Sequence, residues 1–155
     1  MLYGACLAGP GLTAAMCLSR SATFPCDVIA PRRAREFCGD CFRELFPLDD
    51  AVSEALDDYL LVVSELTSNA VNAGCGRVRL TVEVHRDHVR FAVDDDAPGM
   101  PRPGSAGPDD RQGRGLGIIE SLARAWGVQA RPGGKQVWVD LAIPTGLSLA
   151  IECRL

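Results

Sequence analysis

A chain of 155 residues with 47% hydrophobic and 23% charged side chains can bury one core and has the balance of an ordinary globular domain. Its net charge of −4 argues against a general nucleic-acid binder, which carries a basic face. No stretch has the length and apolarity of a membrane span. The uncharged start, Met1 to Ser19, lacks a basic leader and is broken by Gly4, Gly9, Pro10 and Gly11, so the chain is read as cytoplasmic rather than exported.

Residues 1–16 read as a loose extension, 17–143 as one domain and 144–155 as a tail. Residues 17–24 alternate loosely and end at Pro25, as a first strand would. Pro31 suits the first turn of a helix reaching about Phe46, with Ala34, Phe37, Cys38, Cys41, Phe42 and Leu45 at helical spacing and Pro47 as its stop. Asp49 or Asp50 can cap a longer helix to about Ala73, which Gly74 terminates. Its apolar stripe runs through Val52, Leu56, Tyr59, Leu60, Val63, Leu66 and Ala70.

Val78, Leu80, Val82 and Val84 alternate with polar residues, the signature of a half-buried strand, and a turn at Arg86-Asp87 leads into a second strand at Val89–Val93. Residues 97–115 are rich in Gly, Pro and Asp without periodicity, and a loop of that length in a compact domain suits a functional lid. A helix over about 116–126, a short strand from Gly127, a turn at 131–134 and a closing strand from Lys135 to Ile143 follow. The order β-α-α-β-β-loop-α-β-β describes an α+β fold, a two-layer α/β sandwich of a mixed, mostly antiparallel sheet with helices on one face.

Seven cysteines, at 6, 17, 26, 38, 41, 75 and 153, read as small buried hydrophobes of a cytosolic domain. Cys38-x-x-Cys41 and His85-x-x-His88 lack the compact spacing of a zinc finger, and the two histidines, flanking a turn, read as surface residues. Of the 16 basic residues Lys135 alone is a lysine, an arginine bias that carries no chemical weight by itself.

Three segments carry chemistry. Residues four apart share a helix face, so Glu65 lies beside Asn69, with Ser68 and Asn72 close by. The bland account of such a stripe is a solvated helix face. The chemical account gives Asn69 a hard amide oxygen for Mg²⁺ and Glu65 a carboxylate that accepts a proton from an attacking hydroxyl. Asp94-Asp95-Asp96-Ala97-Pro98-Gly99 ends a strand, where a carboxylate can accept a hydrogen bond from an adenine amino group. Gly113-Arg114-Gly115-Leu116-Gly117 opens a helix with backbone amides that phosphate can approach, although it is neither a Walker loop nor a dinucleotide fingerprint.

In this order, Glu65-x-x-x-Asn69, Asp95-x-Ala97-x-Gly99 and Gly113-x-Gly115-x-Gly117 resemble the N, G1 and G2 boxes of the GHKL (Bergerat-fold) ATPases. The run from Val63 to Val71, Phe24-Pro25, the arginine-rich first helix and the stretch 131–138 are similar to the small bacterial anti-sigma factor serine/threonine kinases. The resemblance covers roughly residues 17–143. It implies ATP and Mg²⁺ as cofactors, Asn69 as metal ligand and Glu65 as catalytic base. It also implies Asp95 and Gly99 at the adenine, Gly113, Gly115 and Gly117 at the phosphates, and Asn72, Arg114 and Leu116 as neighbouring contacts. The partners implied are a sigma factor or an anti-sigma antagonist, in a homodimer, with no direct contact to nucleic acid or membrane. Two departures stand out: Ala97 replaces the first glycine of the G1 box, and Ala73-Gly74 stand where such proteins carry a histidine. Two further readings are a non-catalytic partner-binding regulator and, poorly supported, half of a sensor histidine kinase.

Overall fold

The structure, a computed structural model, describes residues 16–46, 49–99 and 111–144. Residues 1–15, 47–48, 100–110 and 145–155 lie outside them, and with these nearly all of the expected N-terminal extension and C-terminal tail, the stop at Pro47 and the middle of the long loop. The element order is β1 (Met16–Pro25), α1 (Ala30–Leu45), α2 (Asp50–Asn72), β2 (Arg77–His85), β3 (His88–Asp95), α3 (Arg111–Leu122), β4 (Ala125–Arg131) and β5 (Gly134–Ala142). The strands form one sheet in the order β1-β2-β3-β5-β4, and every described pairing is antiparallel.

Alternation decides which face is covered. Val78, Leu80, Val82 and Val84 of β2 and Val89, Phe91 and Val93 of β3 point to one side, all at most 2% exposed, and the helices bury that side. Phe42 of α1, Tyr59 of α2 and Phe91 of β3 stack with centroids 5.1–6.4 Å apart and join the two layers. The Tyr59 hydroxyl donates to the Ala142 carbonyl at 2.6 Å, which fixes α2 across β5. Asp49 caps α2 by accepting from the Val52 amide at 2.8 Å.

The opposite sheet face is polar. Arg90 of β3 forks onto Asp140 of β5 at 2.7 and 2.8 Å and lies 4.4 Å over the Trp138 ring. His85 and His88 occupy this face as a stacked pair with centroids 4.2 Å apart, 12% and 15% exposed. They flank the turn as expected, but they are largely covered, because each ring shields its neighbour.

Three boundaries differ from the sequence reading. α3 begins at Arg111 rather than near 116 and ends at Leu122, and Trp126 belongs to β4. Cys26 and Cys75 are joined by a disulfide with Cα atoms 5.6 Å apart, so these two are not simply small apolar side chains. Cys38 and Cys41 do behave as such: burial pushes the Cys41 thiol up to about 11 and Cys38 higher still. No described helix is long and apolar enough to cross a membrane.

Candidate functional site

The C-terminal half of α2 presents Glu65 and Asn69, both half-buried, one turn apart on a common face. Asn72 falls at the exposed end of the same helix. What covers Glu65 and Asn69 is α3. A Cβ built on Gly115 would lie 2.5 Å from Oε2 of Glu65 and 3.8 Å from Oδ1 of Asn69. With glycine there the Glu65 carboxylate can sit directly against α3, and any side chain would push it aside. The first and third motifs, about fifty residues apart in sequence, are therefore brought together.

The glycine motif adopts a different local structure from the loop expected. Gly113, Gly115 and Gly117 all lie inside α3. Gly113 is its third residue, where the amide has no carbonyl one turn earlier, whereas Gly115 and Gly117 fall beyond that first turn. The backbone of Arg114 and Leu116 is helical, and their side chains are outside the described set.

The second motif ends β3. Asp95 is 7% exposed, and its Oδ1 accepts both the Ala97 amide at 3.0 Å and the Lys135 ammonium at 2.8 Å. Lys135 faces Asp95 across the β3–β5 ladder and is 5% exposed. Ala97 is 2% exposed with an ordinary backbone, and its methyl joins the core that also contains Ala70, Cys75 and Ile119. The departure from glycine at 97 thus introduces no strain, while Gly99, at φ 88°, does occupy a conformation that favours glycine. Gly134 approaches the Asp95 carbonyl so closely that an added Cβ would fall 1.9 Å from it.

Asp96 holds this turn to the end of α2. Its Oδ1 accepts the Gly76 amide at 2.7 Å and the Arg77 amide at 3.0 Å, bonds that hold its carboxyl below the usual carboxylate range. Cys75, one residue earlier, carries the disulfide to Cys26. Behind the Asp95–Lys135 pair a groove of about 440 Å³ opens between Arg77, Arg79, Asp94 and the 131–134 turn. It does not include Glu65, Asn69 or Gly115.

The sequence reading gave Lys135 no chemical role. The one available signal was that the sole lysine of an arginine-rich chain opens the strand beside Asp95. Cys38-x-x-Cys41 sits in α1 within the core and His85/His88 on the far sheet face, so these pairs do not converge.

The arrangement fits a nucleotide with a divalent cation. A carboxylate and an amide oxygen face a glycine of α3 at close range, and a buried carboxylate stands at the sheet end. Among known proteins, the family described as histidine kinase-like ATPase domain matches residues 27–141. An uncharacterized protein of Streptomyces coelicolor is 45% identical over 56 residues, 35% of this chain and 52% of that protein. The chain thus spans about half the length of the curated relative it matches.

Proposed function

Because the chain belongs to the histidine kinase-like ATPase domain family, we propose that it binds ATP with Mg²⁺ and serves as a bacterial regulator of the anti-sigma type. In this reading it phosphorylates a serine or threonine on an anti-sigma antagonist and also engages a sigma factor, as a homodimer in the cytoplasm. The observation that carries the reading is the seating of Gly115 against Glu65 and Asn69.

Each residue then has a task. The Asn69 amide oxygen is a hard ligand suited to Mg²⁺, which keeps most of its waters. The Glu65 carboxylate, one turn earlier, accepts the proton of a partner's hydroxyl. Asp95 orients the base, and the Gly113 amide, in the first turn of α3, offers a donor to an anion. ATP, when bound, supplies the phosphoryl group and Mg²⁺ offsets its charge. α3 covers Glu65 and limits access of water to it.

The test is phosphotransfer. Wild-type protein with Mg-ATP and extract of its source bacterium should label one serine- or threonine-bearing protein, and Glu65→Ala should bind ATP but leave that protein unlabelled. Full transfer by Glu65→Ala would remove it as base. A second reading, a partner-binding regulator without turnover, is favoured by one observation: the carboxylate of Asp95 is already neutralised by Lys135. ATP binding without any transfer would select it.

A further inference from the structure

We infer that Lys135 and Asp95 read the edge of a purine as a donor–acceptor pair, so that the site takes guanine as well as adenine nucleotides. This rests on the nucleotide-binding reading above and deepens it. The ground is which atoms of the pair are left over. Both hydrogen bonds to the carboxylate end on Oδ1, one from the Lys135 ammonium at 2.8 Å and one from the Ala97 amide at 3.0 Å. Oδ2 accepts none from the described residues. An ammonium carries three donors, and Lys135 spends one on a described partner. The two side chains are 6% and 2% exposed. Both residues line the groove described above, so an unbonded carboxylate oxygen beside spare ammonium donors offers a polar edge there to a ligand.

Purine chemistry supplies that edge in two polarities. Adenine sets its amino donor beside the N1 acceptor, and guanine sets its O6 acceptor beside an N1–H donor. A lone carboxylate takes adenine's amino group but leaves guanine's O6 without a donor. An ammonium beside the carboxylate removes that discrimination. With adenine, Oδ2 takes the amino group and Nζ donates to N1; guanine meets the same pair with its edge turned over, Oδ2 taking N1–H and Nζ donating to O6. Lysine suits the task where arginine does not, because a compact ammonium leaves the space beside the carboxylate open, whereas a planar guanidinium would fill it. Everywhere else the chain uses arginine. Lys135 is thereby a specificity-determining residue rather than a structural counter-ion.

The experiment is calorimetric titration of the full chain with ATP, GTP and ITP, each with Mg²⁺. ATP and GTP should bind within about tenfold of one another, a difference of one good base contact or less. ITP, which keeps O6 and N1–H but lacks the 2-amino group, should follow GTP. In Lys135→Thr, GTP and ITP should each weaken relative to ATP by about tenfold or more. That variant leaves Asp95 without its counter-charge; should it not fold, the nucleotide series on the wild-type protein decides alone. Discrimination beyond about tenfold by the wild-type protein, or an unchanged ratio in a folded Lys135→Thr, overturns the inference while ATP binding stands. Failure of every nucleotide to bind the folded protein removes both.

Discussion

Gly115 and Gly117 stand two residues apart in α3, yet alanine at the two positions should have different effects. Glycine inside a helix costs about 1 kcal/mol relative to alanine. A Cβ on Gly117 meets nothing within 4 Å, so Gly117→Ala should recover that amount. For a chain of this size the gain raises the melting temperature by about 2–4 °C. A Cβ on Gly115 would instead lie 2.5 Å from Oε2 of Glu65 and 3.5 Å from its Cδ. The carboxylate must swing aside, and leaving its rotamer costs about 0.5–1.5 kcal/mol, which offsets the helical gain. Gly115→Ala should therefore melt close to wild type but fail in phosphotransfer, since Glu65 no longer stands where α3 holds it. Calorimetric melting of the two nucleotide-free variants beside wild type reads the difference. An equal gain in both variants would mean that α3 does not rest on Glu65 in solution, and the assembly of the site by α3 would be wrong.

Three other perturbations bear on the frame around the site. The Cys26–Cys75 disulfide closes a separation of 49 residues, which on the chain-entropy account restricts the unfolded state by about 4 kcal/mol. Cys75→Ser should lower the melting temperature by roughly 10 °C, and an unchanged melt with or without reductant would show the link to be unimportant. Asp96, held below the usual carboxylate range by the Arg77 and Gly76 amides, stabilises the fold fully above the ordinary carboxylate pKa and loses that contribution as pH falls through its lowered value. Asp96→Asn should flatten the acid limb of a stability–pH curve, and a limb of identical slope would contradict this. Tyr59→Phe strands the Ala142 carbonyl and should cost about 1–2 kcal/mol by urea unfolding; a neutral substitution would show that water replaces the hydroxyl.

Much of the fold was legible because it is written in local periodicity. β2 alternates, α2 carries an apolar stripe with Asp49 before it, and both appear within one or two residues of where the pattern places them. The start of α3 was not legible because three glycines contradict helix propensity; packing against α2 overrides that preference. Its end was misplaced because Trp126 extends the helical spacing, whereas the chain turns at Ala123 and the Arg124 amide joins the Asp140 carbonyl to open β4. Spacing alone puts Glu65 and Asn69 on one helix face and the resemblance singles out Asp95 at a strand end, but the Asp95–Lys135 pair depends on cross-strand register over forty residues, and the Cys26–Cys75 link on two chain reversals meeting. Neither has a local signal. The stacking of His85 on His88 escaped notice for a related reason: a polar turn looks solvent-facing until the sheet face beneath it is known.

The central claim is that α2 and the end of β3 together form a Mg-ATP site, and calorimetric titration of the wild-type protein and Asn69→Ala tests it most directly. The account predicts saturable micromolar binding of Mg-ATP to wild type, dependent on the metal, and its loss in an Asn69→Ala protein that still melts cooperatively. Equal affinity in the two proteins, or no binding by folded wild type, would contradict it.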